Sequence, residues 1–129
     1  GVKKQVDVYF DTLDKNIVVA SASLNFDTDK LELIGAGADT TDSDLSLSVM
    51  NSVNDGLLQI VRGEPGDANS DDVDDGFTGM GLLAVLKFKV LSSGNASVQF
   101  LPAASNLILD DGRGTNLDTN FDNLTLYIR

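Results

Sequence analysis

The stretch Gly81-Leu82-Leu83-Ala84-Val85-Leu86-Lys87-Phe88-Lys89-Val90 decides how the chain is read. Leu82, Ala84, Leu86, Phe88 and Val90 share one parity, and Leu83, Val85, Lys87 and Lys89 share the other. Successive side chains of an extended backbone point to opposite faces, so this period of two predicts a strand with one buried face. The pattern recurs on both sides. Upstream, Val6, Val8 and Phe10 alternate with Gln5, Asp7 and Tyr9, and Ala20, Ala22, Leu24 and Phe26 alternate with Val19, Ser21, Ser23 and Asn25. Leu31 and Leu33 begin a further strand that loosens at Gly35-Ala36-Gly37, and Leu45, Leu47 and Val49 alternate with Ser46, Ser48 and Met50. Between Gly56 and Arg62, Leu57, Leu58, Ile60 and Val61 occupy both parities, which leaves the inward face of that strand open. Downstream come Ala96, Val98 and Phe100, then Leu107 and Leu109, then Leu124, Leu126 and Ile128.

Turn-forming clusters separate these runs: Asp14-Lys15-Asn16, Asp27-Thr28-Asp29-Lys30, Asn54-Asp55-Gly56, Ser92-Ser93-Gly94-Asn95 and Asp110-Asp111-Gly112. About nine short strands at intervals of roughly 8 to 12 residues predict an all-β sandwich or barrel. No internal repeat or linker interrupts them, so residues 1–129 are read as one domain.

Composition narrows the function. The chain has 129 residues, 42% of them hydrophobic and 22% charged, enough to build one ordinary core without covalent staples. It has no cysteine, which removes disulfides and thiol chemistry, and no histidine, which removes the usual general base and the commonest transition-metal ligand. Its formal net charge is -11, so nucleic acid and anionic membrane surfaces are poor partners. Glu32 and Glu64 are the only glutamates among 20 acids, and a preponderance of Asp suits turns better than helices. No apolar run reaches the length of a membrane-spanning helix and no signal peptide opens the chain, as expected for a segment of a longer precursor.

Calcium is the metal to test for, because Glu64 to Gly76 contains six acids and no base. Counting an EF-hand loop from Asp67 places Asp67, Asn69 and Asp71 at its first three ligand positions. The sixth position, which needs glycine, is Asp72, and the twelfth, which needs glutamate, is Thr78. Two readings remain: calcium held in a looser geometry by Asp67, Asn69 and Asp71, or a solvated connection between strands. No cofactor is otherwise required. Paired carboxylates for glycoside hydrolysis arise by chance in so acidic a chain, and no tryptophan is present to stack on a sugar. A carbohydrate-binding module would have only Tyr9 and Tyr127 as exposed rings. Asn95-Ala96-Ser97 and Asn123-Leu124-Thr125 satisfy the N-glycosylation triplet.

In their order along the chain, several segments together resemble a cohesin, the receptor module that holds dockerin-bearing enzymes in cellulosomes and related surface assemblies. They are the opening strand Val6 to Phe10, the run Ala20-Ser21-Ala22-Ser23-Leu24-Asn25-Phe26-Asp27, the stretch Lys30-Leu31-Glu32-Leu33, the strand Gly81 to Val90, and the closing Asn123-Leu124-Thr125-Leu126-Tyr127-Ile128. The resemblance implies a nine-stranded antiparallel β-sandwich of jelly-roll topology, with no enzymatic activity of its own. It also implies an extracellular, secreted or surface-attached module that binds a dockerin-like domain through one sheet face, and meets carbohydrate only through its partner enzymes. The residues expected to form that face are Val19, Ser21, Ser23 and Asn25 on one strand and Leu83, Val85 and Lys87 on another. If both strands lie in one sheet, they present a mixed apolar and hydroxyl patch. Antiparallel sheets normally turn polar residues to water, so outward Leu83 and Val85 require either a covering segment or a partner. The competing classes are a carbohydrate-binding module and a structural surface domain stiffened by calcium.

Overall fold

The computed structural model describes residues 2–64, 76–101, 104–110, 113, 115–117 and 124–128. Alternation becomes strand wherever the sequence predicts it: β1 (Lys3–Asp11), β2 (Ile17–Phe26), β3 (Leu31–Leu33), β4 (Leu47–Asn54), β5 (Leu57–Gly63), β6 (Met80–Val90), β7 (Val98–Phe100), β8 (Asn106–Leu109), β9 (Asn116–Leu117) and β10 (Leu124–Ile128). All nine expected strands are present; β9, with two residues, is too short for a period of two to reveal. No α-helix occurs among the described residues.

The strands form two antiparallel sheets stacked as a jelly-roll sandwich. The first has the order β10-β1-β6-β3, and the second the order β4-β5-β2-β8-β9, with β7 also paired to β2. Between them lies the core. Val6, Val8 and Phe10 of β1 and Ala84, Leu86 and Phe88 of β6 face Ala20, Ala22 and Leu24 of β2 and Leu58 and Ile60 of β5, all buried. Each of the large aliphatic and aromatic members contributes about 1.5–3 kcal/mol relative to exposure. Two edge-on ring pairs close the layer: Phe26 with Phe88, centroids 5.0 Å apart, and Phe10 with Phe77, 5.1 Å apart. Gly81 lies opposite Phe10, and a Cβ there would come within 2.6 Å of the Phe10 ring, so only glycine fits without repacking.

Turn chemistry sets the hairpin between β4 and β5. Asp55 and Gly56 have φ of 52° and 85° and join β4 to β5 as a two-residue loop, the arrangement whose twist suits a tight antiparallel hairpin. Ahead of it, the segment from Ile34 to Asp44 ties the two sheets together. The Asn51 side chain of β4 accepts from the Ala38 N–H and donates to the Ala38 carbonyl, both at 2.9 Å, while Asp39 and Val85 of β6 exchange two backbone hydrogen bonds of 2.8 Å.

Three expectations are corrected here. β2 and β6 lie in different sheets, so Val19, Ser21, Ser23 and Asn25 share no surface with Leu83, Val85 and Lys87. Second, the alternation of β6 slips: Val8 pairs with Ala84 and Tyr9 with Leu82, so Leu83 has no partner on β1 and forms a bulge. The bulge turns Leu83 into the core beside Ala84. Third, Leu45 is buried ahead of β4, Leu47 opens the strand opposite Gly63 and faces solvent, and a break in step between Ser48 and Met50 leaves Val49 exposed as well.

Candidate functional site

Outward residues of the second sheet follow from its register. On β2 the core takes Ala20, Ala22 and Leu24, leaving Val19, Ser21, Ser23 and Asn25 on the opposite face. Ser21 lies opposite Val61, Ser23 opposite Gln59 and Asn25 opposite Leu57 on β5. Across β5, Val61, Gln59 and Leu57 lie opposite Met50, Ser52 and Asn54 of β4. On the other flank Asn25 pairs with Gln99 of β7, Ser21 and Val19 pair with Asn106 and Ile108 of β8, and Ile108 pairs with Asn116 of β9. None of these outward side chains is charged, in a chain of net charge -11. Five strands at about 4.8 Å spacing make a face roughly 20 Å across, wide enough for one or two packed helices of about 10 Å diameter.

The first sheet, by contrast, carries charge on its outward face, with Lys3, Lys87, Lys89 and Glu32 exposed around a buried Asp7. There Lys3 lies opposite Lys89, Gln5 opposite Lys87, Asp7 opposite Val85 and Glu32 opposite Lys89. Lys87 and Asp39 form an ion pair of 2.8 Å. The hydrogen bond from Lys87, reinforced by Thr41, whose N–H donates at 3.0 Å, holds the Asp39 carboxyl well below the usual carboxylate range.

Among the residues expected to meet a partner, Leu83 is fully buried and Val85 is 9% exposed beside its Asp39 bridge. Lys87 is exposed, but it lies on the first sheet and is committed to Asp39. Ser23, although on the outward parity, is buried: its hydroxyl donates to the Ala104 carbonyl at 3.2 Å, and its N–H donates to Ser105 Oγ at 3.0 Å. The Ser21 hydroxyl donates to the same carbonyl at 3.5 Å. Val19 and Ser21 are half-buried and Asn25 is exposed. Asp67, Asn69 and Asp71 lie outside the described residues, and among the described residues no group of three or more acids is arranged to hold a metal.

Leu57, Val61, Gln59 and Met50 were not foreseen as part of this face. The signal that could have found them is the apolar character of both parities of β5. Leu58 and Ile60 fill the core, so Leu57 and Val61 must point away from it. The face contains no aromatic ring among its described residues, and Tyr9 stands on the first sheet.

No protein-family model matches the chain, and no curated protein sequence matches it. Solved structures do. The third cohesin of ScaC in complex with the ScaB dockerin, from Acetivibrio cellulolyticus, superposes with a TM-score of 0.64 at 19% identity, over 92% of this chain and 82% of that one. The fold is that of a cohesin. CaCohA2 from Clostridium acetobutylicum, in its solution structure, gives 0.64 at 19% identity, over 87% of this chain and 72% of that one. A complex of CaCohA2 with a CaDoc0917 variant gives 0.71 at 16% identity, over 92% of this chain and 83% of that one.

Proposed function

We propose that residues 1–129 form a non-catalytic receptor module that captures a dockerin-like domain on the outward face of β4, β5, β2 and β8, and so assembles or anchors enzymes outside the cell. The absence of charge among the described residues of that face is the observation that supports this reading. A solvated sheet face in so acidic a chain is expected to show carboxylates and lysines, as the first sheet does. An uncharged face with Leu57, Val61, Met50, Val19 and Ile108 among hydroxyls and amides instead has the composition of the centre of an interface. The cohesin fold agrees with it, since the ScaC cohesin structure contains a dockerin. Recognition needs little reordering, because both flanking strands are hydrogen-bonded along their length and the backbone is set before the partner arrives.

Leu57 and Val61 supply the apolar centre; Gln59, Ser52, Asn25 and Ser21 supply polar contacts around it. The test is isothermal titration of the chain with the ScaB and CaDoc0917 dockerins and with dockerins from its own source. A Leu57→Asp, Val61→Asp double variant should lose binding by at least about a hundredfold, the effect of burying uncompensated carboxylates, with its melt held near that of the parent. Unchanged affinity in a folded variant would remove this face from the account.

A further inference from the structure

Among the described residues, the outer edge of β4 is a strand margin with no neighbour in its sheet. β4 runs eight residues at the margin of the second sheet, whereas β3 and β9, at margins of the two sheets, have three and two. Among the described residues, no backbone group of Leu47–Asn54 hydrogen-bonds to any strand other than β5. Long free edges are normally guarded by a charge or a proline. From Leu45 to Asn54 there is neither. Instead three large or branched apolar side chains near this margin stand in water, Leu47 at 49%, Val49 at 67% and Met50 at 44% exposure, and the slip between Ser48 and Met50 leaves Val49 without a partner on β5.

The geometry points to a second copy of this chain as the occupant, with the two β4 edges pairing antiparallel about a twofold axis. Self-pairing sets each residue of the strand against a residue of the same strand, so a charge near the axis would meet its own copy; this strand has none. The rest of the surface argues for the same place. Two molecules of net charge -11 repel, and a contact between copies is least opposed where neither contributes a charge. One edge buries little area, which makes the contact a weak one. Its dependence on salt is the reverse of an ion-paired interface: salt screens the repulsion between the two molecules and leaves the uncharged contact intact.

The inference does not depend on the dockerin reading, and the experiment separates the two. Sedimentation equilibrium of the chain alone, from about 10 μM to about 1 mM, should show the average mass rising from 13.7 kDa toward twice that value, with tighter association in 1 M than in 0.1 M salt. Val49→Lys should weaken association about tenfold or more through like charges brought together on the edge, and Val53→Pro, which removes an N–H that points away from β5 in the register of the hairpin, should do the same. Ser21→Arg, in the middle of the face, should leave self-association unchanged while abolishing dockerin capture. A mass that stays monomeric throughout, association that weakens with salt, edge variants that associate like the parent, or loss of self-association in Ser21→Arg would each overturn the proposal.

Discussion

Leu83→Ala separates the interior of this sandwich from its working surface. Leu83 is fully buried on a bulge of β6, and its side chain joins the core cluster with Ala84 and Leu86. Truncating a buried leucine removes its transfer energy and leaves a cavity, together about 2–5 kcal/mol. With an unfolding entropy of about 2.1 cal/mol/K per residue, 129 residues give roughly 0.27 kcal/mol/K, so each kcal/mol lowers the midpoint by about 4 °C. The expected loss is therefore about 8–20 °C, read by calorimetry or by circular dichroism at a strand band. Dockerin affinity below the melt should stay within about twofold, because Leu83 belongs to the sheet that does not present the face. A shift smaller than about 4 °C, or a folded variant that no longer captures its partner, would refute the placement of Leu83. The alternation alone predicts the opposite, a residue whose replacement spares the melt and destroys binding.

Other perturbations bear on the remaining contacts. Asn51→Ala strips the Ala38 N–H and carbonyl of their side-chain partner, and should cost about 1–3 kcal/mol in a urea titration while loosening amide exchange from Ile34 to Asp39. Gly81→Val forces a branched side chain against the rings of Phe10 and Phe77 and should destabilise by about 1–3 kcal/mol in the same titration. Asp39 titrates below its ordinary value of 3.8 in the folded chain because Lys87 and Thr41 stabilise its charged form. A depressed folded-state value means that its contribution is present above the unfolded value and is lost as the pH falls from about 4 downward. Asp39→Asn should therefore flatten the acid limb of stability against pH below about 4 and leave the curve near neutrality unaltered in shape.

The strands were legible in the sequence because a period of two survives wherever one face is buried, and β1, β2 and β6 each show it over most of their length. The Asn54-Asp55-Gly56 turn was legible for a different reason: positive φ at two successive residues selects Asp or Asn followed by Gly. What alternation lacks is any statement of which strand pairs with which. β2 and β6 each present a usable outward face, and nothing local to either records that they belong to opposite layers. The slip at Leu83 is hidden by composition, since Leu82, Leu83, Ala84, Val85 and Leu86 are apolar at both parities and tolerate either phase. The break in β4 is hidden in the same way, because Leu47 and Val49 look like core residues until Leu45 takes that role. On the face itself, Val19, Ser21 and Asn25 were readable from β2. Leu57 and Val61 became readable only once the core claimed Leu58 and Ile60.

The most direct measurement is a map of backbone amide shifts, recorded by NMR on labelled chain before and after addition of a dockerin. Changes should concentrate on Val19, Ser21, Asn25, Leu57, Gln59, Val61 and Asn106, with Lys3, Gln5, Lys87 and Lys89 on the opposite sheet undisturbed. Shifts gathered on those lysines and on β1 and β6, with the β2 and β5 amides silent, would contradict capture on the second sheet.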